Sequence, residues 1–173
     1  HTMDDFDALA SAVGLAKIWS AESLGGESKG ENASAGWTRD VCVILPRGAH
    51  PIVAEFLALH KHLFPIRSLK SVVSDWSSGL LNLGRVALVD CQRRDRVGPA
   101  GQLLDGAKEV HVIDHHVDKE SDVGAATEHV TVQQVGSVST IVTEKLKAAS
   151  DRGDLTLSDV EATLMALGVH ADT

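Results

Sequence analysis

The 173-residue chain is 43% hydrophobic with a formal net charge of −8. That is enough apolar material for one buried core, and the wrong sign for broad capture of nucleic acid, which rests on lysine and arginine neutralising phosphates. No run of about 18 apolar residues and no charged-then-apolar leader is visible, so neither a membrane span nor a secretion signal is read and a soluble, intracellular protein is expected.

In chain order, HTMDDFD opens into a helix over Asp7 to Ala21, where apolar residues recur at helical spacing. GGESKGENASAG has nothing to bury and reads as a surface loop. VCVILP, Val41 to Pro46, is a short β-branched run of the kind buried on both faces of a sheet. PIVAEFLALHKH reads as an amphipathic helix, with His50, His60 and His62 at the surface, and a weaker extended piece covers Ile66 to Val73. RVALVD is a second buried strand ending in Asp90, GPAGQLLDGAK a short helix, and EVHVIDHH a strand ending in Asp114, His115 and His116. EHVTVQQ, Glu128 to Gln134, alternates like an edge strand. Helices follow over Ser137 to Ala149 and Leu157 to Leu167, the second with Thr156 and Asp159 spaced as a capping pair. The alternation of strands and helices gives an α/β fold, a mainly parallel sheet with helices on both faces.

In such a sheet, ligands sit beyond the carboxyl ends of the strands. Asp90 and the Asp114–His116 triplet fall there, and the HTMDDFD loop and Asp172 can join them. Carboxylates with neutral imidazoles suit manganese, magnesium or iron, and a pair of such cations clamps a phosphoryl group. Capping of the first helix by Asp5 or Asp7 explains those two acids equally well. The other polar features are plainer. Cys42 and Cys91 accompany apolar runs and read as core thiols, His111 as structural, and Asp4 as a solvated neighbour.

HTMDDFDALAS, VALVD, VIDHH and GVHADT, in that order, resemble the four motifs of the DHH phosphoesterase superfamily, which includes RecJ-type exonucleases, oligoribonucleases, cyclic-dinucleotide phosphodiesterases and manganese pyrophosphatases. The resemblance spans the chain and implies a catalytic domain with two divalent cations, manganese foremost and magnesium or iron as alternatives. It implies that His1 and Asp5 hold one cation, Asp7 and His115 the other, with Asp90 bridging and Asp172 completing the second. His116 would face the substrate phosphate and Asp114 would orient the imidazoles, so Asp90, His116 and Asp114 form the catalytic set. Arg93 and Arg94 directly after Asp90 read either as a phosphate grip or as a solvated charge run. Gly136 and Ser137 read either as a phosphate seat at a helix start or as a cap.

Within the superfamily, the VCVILPRGAHPIVAEFLALHKHLFPI tract most resembles DHH domains fused to CBS modules and a nucleotidyltransferase of the CCA-adding or poly(A) polymerase kind. The implied activity is hydrolysis of phosphodiester or phosphoanhydride bonds in nucleotides or short nucleic acids. The alternatives are a metal- and nucleotide-binding regulatory module of RNA 3′-end processing, or an inorganic pyrophosphatase. The superfamily also has an apolar strand before the first motif and a second domain after the fourth. Residues 1–173 are therefore expected to be a DHH domain lacking both.

Overall fold

The computed structural model describes residues 3–24, 37–117, 121–126 and 129–173; His1, the loop expected over 25–36 and Glu128 lie outside these. Helix α1 spans Phe6–Leu24, α2 Pro51–His60 and α3 Leu69–Ser77, followed by strand β1, Arg85–Val89. A short α4 (Arg94–Val97) and α5 (Gly101–Gly106) lead to β2, Glu109–Asp114, and then β3, Val130–Val132. The chain ends in α6 (Val138–Asp151) and α7 (Asp159–Ala171). The three strands form one parallel sheet in the order β1-β2-β3, with Val89 opposite Ile113 and Asp114 opposite Val132. The expected α/β architecture is what the chain adopts.

Alternation along the strands sorts side chains to two cores. Ala87, Val89 and Ile113 meet the cluster built from α1, α2, α6 and α7, whereas Val86, Leu88, Val110 and Val112 meet Val72, Val97, Leu103 and Leu104 on the other face. Strands covered on both sides read as near-continuous apolar runs, as VALV of β1 does; β2 does so only over Val112 and Ile113, its first half alternating Glu109 and His111 with valines.

Helix α1 packs closely on α6 and α7. A methyl group on Gly14 would come within 2.6 Å of Val142 Cγ1, and one on Gly168 within 2.4 Å of the Ala10 Cβ. Between α1 and α7, Lys17 Nζ lies 2.9 Å from Glu161 Oε1, and both side chains are buried. Glu161 also closes a capping box with Ser158, which starts α7. The start of that helix is thus corrected from the expected Thr156–Asp159 pair, because Ser158 is the hydroxyl three residues before a glutamate. One carboxylate serving a buried ammonium and a helix end is costly to remove. Glu161→Ala is expected to lower unfolding stability by about 3–5 kcal/mol, the usual effect of stripping one partner from a buried pair, read as a fall in the urea midpoint.

Two expected elements differ. VCVILP is extended but joins no ladder, and its only bridge pairs Val43 with Ile66, through Val43 N–H to Pro65 O at 2.9 Å and Arg67 N–H to Val43 O at 2.9 Å. The piece expected to extend to Val73 turns helical at Leu69 because Ser68 caps α3, its hydroxyl accepting the Ser71 amide. The reason for the missing ladder is spatial. A cavity of about 480 Å³ lies between residues 41–46 and β1, floored by Ala8, Ala12 and Ala16 of α1. A strand needs a hydrogen-bonding neighbour about 4.8 Å away, and across this gap there is none. Among the described residues no strand pairs with the outer edge of β1. No described helix is long and apolar enough to cross a membrane.

Candidate metal centre at the carboxyl rim of the sheet

At the end of β1, the chain must leave the sheet within one residue. Asp90 does so with φ of 55°, the one non-glycine residue in the left-handed region among those described, its amide still bonded to Ile113 O at 3.0 Å. Aspartate and asparagine tolerate this conformation better than most residues. The turn aims the Asp90 carboxylate across the rim at the triplet ending β2.

There, Asp114 is buried, and one oxygen accepts the amides of His115 (2.8 Å) and His116 (3.2 Å) and the Nδ1 of His116 (2.7 Å). A carboxylate only accepts, so His116 Nδ1 carries the proton and its Nε2 is left for the cleft. The half-exposed His116 ring is thereby held in one orientation by Asp114. His115 is fixed differently: its Nδ1 donates to Val135 O at 3.1 Å. In the neutral ring its Nε2 is then a lone pair, 3.4 Å from Asp90 Oδ1 and 3.6 Å from Asp172 Oδ2.

Asp7, fully buried, reaches the same place from α1. Its carboxylate accepts the amides of Val138 (2.8 Å) and Ser139 (2.7 Å), capping α6 from another helix. Asp7, His115 and Asp172 offer ligand atoms within 4.8 Å of one another, as do Asp90, Asp114, His115 and His116. Two of these atoms, Asp90 Oδ1 and His115 Nε2, are buried without any hydrogen-bond partner. Electron-rich atoms crowded out of water in this way fit a cation, and the mixed oxygen and imidazole set suits manganese, magnesium or iron.

The electrostatics agree. Burial, followed by the carboxylates of Asp7, Asp5, Asp114 and Asp172, pushes Asp90 up to about 8. Burial also raises Asp7, against the hydrogen bonds from Ser139 and Val138. A proton retained only in the folded state favours folding, and that advantage fades as pH climbs from the ordinary carboxylate range toward 8. In chelator, the urea midpoint is therefore expected to fall between pH 5 and pH 8. Asp90→Asn should flatten the fall, and manganese, replacing the proton, should cancel it.

The remaining expected residues divide. Asp5 caps α1, its Oδ1 accepting the Ala8 amide at 3.0 Å, and lies close enough to raise Asp90. His1 lies outside the described residues. Arg93 lines a second cavity, of about 130 Å³, with Asp90, Asp114 and His116. Arg94 turns away to Asp105 on α5 and does not line that cavity. Ser137 caps α6 through the Thr140 amide, so with Asp7 the chain itself fills the amides of Val138, Ser139 and Thr140 beside Gly136. Asp4 is not the solvated neighbour expected: a backbone bridge to Ala49 holds it inward, one oxygen has no partner, and burial pushes its carboxyl up to about 6. Sequence reasoning also missed Arg47, which lines the 130 Å³ cavity and donates to Asp95 O at 2.9 Å. Its position just after VCVILP, at the carboxyl end of an extended run, was the available signal.

An α/β domain gathering acids and imidazoles from four separated segments at the ends of parallel strands is the class that fold and rim define. Over residues 1–169 the chain matches the DHH family, N-terminal domain, and it belongs to that family. The module is accordingly of the metal-dependent phosphoesterase type. It is also 30% identical, over 174 residues and its whole length, to the A-adding tRNA nucleotidyltransferase of Geobacter sulfurreducens, of which it spans 16%.

Proposed function

We propose that this domain hydrolyses phosphodiester or phosphoanhydride bonds of nucleotides or short nucleic acids, using two divalent cations of which manganese is the foremost candidate. The observation that carries the reading is the convergence of Asp7, Asp90, His115 and Asp172 around buried, unpartnered ligand atoms. Asp90 belongs to one ligand group and feels the Asp7 and Asp172 carboxylates of the other, which makes it the bridging candidate. His1 and Asp5 would serve one cation, and Asp7, His115 and Asp172 the other. Cations held there would lower the pKa of a water and neutralise phosphoryl charge.

The chain's own groups do the rest. Asp114 orients the His116 ring through Nδ1, so that Nε2 faces the cleft and, in the imidazolium form, donates its proton to a phosphate oxygen. Arg93 and Arg47 border the same cavity and hold charge that spreads onto the phosphate during cleavage. Asp7 fixes the ligand geometry to the start of α6.

The test uses the full-length polypeptide with manganese, measuring release from a chromogenic phosphodiester, short oligonucleotides and pyrophosphate, each against a chelated control. Metal-dependent turnover of the diesters or oligonucleotides supports the proposal. A strong preference for pyrophosphate would replace it with a pyrophosphatase. Nucleotide affinity without turnover on any of them would make the domain a regulatory module.

We propose further that residues 1–173 are one domain of a longer polypeptide serving RNA 3′-end processing, as the name of the Geobacter sulfurreducens relative suggests. The slot between residues 41–46 and β1 would hold a strand formed by the residues ahead of His1. Asp4 supports the direction: its bridge to Ala49 is parallel, with Asp4 N–H to Gly48 O at 3.1 Å and His50 N–H to Asp4 O at 2.8 Å. Asp4 also lines the slot, so a segment ahead of His1 would start from its edge.

A further inference from the structure

At the opposite end of the sheet from the rim, the start of β2 gathers a second set of metal-binding groups. Glu109 and His111 are two residues apart on one strand and therefore share a face. His111 Nε2 lies 3.4 Å from Glu109 Oε2, and the His111 ring stacks on that of His129 with centroids 4.2 Å apart. The three side chains offer ligand atoms within 4.8 Å of one another. Asp114 lies three residues beyond His111 and five beyond Glu109 on β2, roughly 10–16 Å along the strand. We infer that Glu109, His111 and His129 form a transition-metal site, separate from the rim, that takes zinc and related borderline cations and ties the entry of β3 to β2.

The ligand set decides the class of ion. Two imidazoles with one carboxylate suit zinc, nickel or copper, whereas the carboxylate-rich rim suits harder cations. Three protein ligands leave one tetrahedral position to water. His111 is held in place by an edge-on contact with Trp19 of α1, centroids 5.4 Å apart. Glu109, His129 and the cationic Arg85 all act electrostatically on His111. Arg85 is itself engaged, over the Trp19 ring and with Glu22 at 2.8 Å. Parallel stacked rings cannot both point a lone pair at one ion. His129, which is partly exposed, must turn about its side-chain torsions on binding while His111 stays.

The site has a structural consequence. Strand β3 is three residues long, and His129 immediately precedes it. A metal shared by His129 and β2 would fasten that short strand where its own hydrogen bonds are few.

The experiment is zinc binding by the full-length polypeptide, by equilibrium dialysis with zinc alone, for wild type, His129→Ala, His129→Asn, Glu109→Gln and Asp90→Asn. Both His129 variants are expected to hold one zinc fewer per chain, the affinity of that site falling at least about 100-fold, beyond the range typical of losing an outer-sphere partner. Glu109→Gln should weaken the same site, and Asp90→Asn should retain it. Zinc should raise the melting temperature of Asp90→Asn but raise it less in His129→Ala/Asp90→Asn. Circular dichroism establishes that each variant is folded, and manganese-dependent hydrolysis should be unchanged in the His129 variants. Equal zinc content and equal zinc-induced stabilisation in wild type and a folded His129 variant would overturn the site.

Discussion

Asp90→Asn is expected to abolish manganese-dependent hydrolysis by the full-length polypeptide, by at least about 10³-fold, the scale on which loss of a single transition-state-stabilising group is felt. The substitution is chosen for the backbone. Position 90 sits at φ of 55°, where asparagine is tolerated and alanine would add strain, so a loss of turnover reports on the carboxylate rather than on folding. Asparagine keeps one neutral oxygen but removes the carboxylate charge set among Asp114, His115 and His116. Manganese content should fall with the activity, and the metal-free variant should be more stable above neutrality than wild type, because a carboxyl held up near 8 no longer has to ionise in a buried site. An Asp90→Asn protein that turns over within tenfold of wild type would sink the bridging role.

The second large effect concerns the slot beside β1. A polypeptide that starts about ten residues ahead of His1, with five of them apolar and strand-forming, is expected to exceed residues 1–173 in unfolding stability by several kcal/mol. Each apolar side chain placed in the slot contributes roughly 1.5–3 kcal/mol. Ordering the strand costs roughly 1.5 kcal/mol per residue. Ladder hydrogen bonds along two edges at about 1 kcal/mol each leave a gain on the order of 5 kcal/mol. A lysine at the centre of the added segment should cancel most of that gain, because it would set an ammonium against the methyl groups of Ala8, Ala12 and Ala16 on the slot floor. Identical denaturant midpoints for the two chains would refute the strand, whatever happens to hydrolysis.

Much of this architecture was legible in the chain. RVALVD and EVHVIDHH declared themselves through short runs rich in valine and isoleucine, and the polar residues ending them fall at the rim. VCVILP carried the same signal and yet forms no ladder, since a strand is a property of two segments and one of the two is wanting across the gap from β1. Helix starts were less readable: Ser158 with Glu161, not Thr156 with Asp159, opens α7, and only the side-chain bonds distinguish them. At the candidate site, the residue types were readable and their partners were not. Nothing local in HTMDDFD says that Asp7 will cap a helix 131 positions downstream, or that His115 will give one nitrogen to Val135 and keep the other bare. Arg47 was overlooked and Asp4 misread as solvated because their placement depends on a cavity wall assembled from several segments.

The double duty of Asp7 bears on how related sequences should be interpreted. Its carboxylate joins α1 to α6 as well as facing the ligand cluster, so a duplicated copy that has drifted out of catalysis still needs an acid there to hold its helices together. Retention of that residue is therefore poor evidence of a working enzyme. Position 90 is the better diagnostic: a glycine there would suit the backbone and announce that the chemistry has been given up.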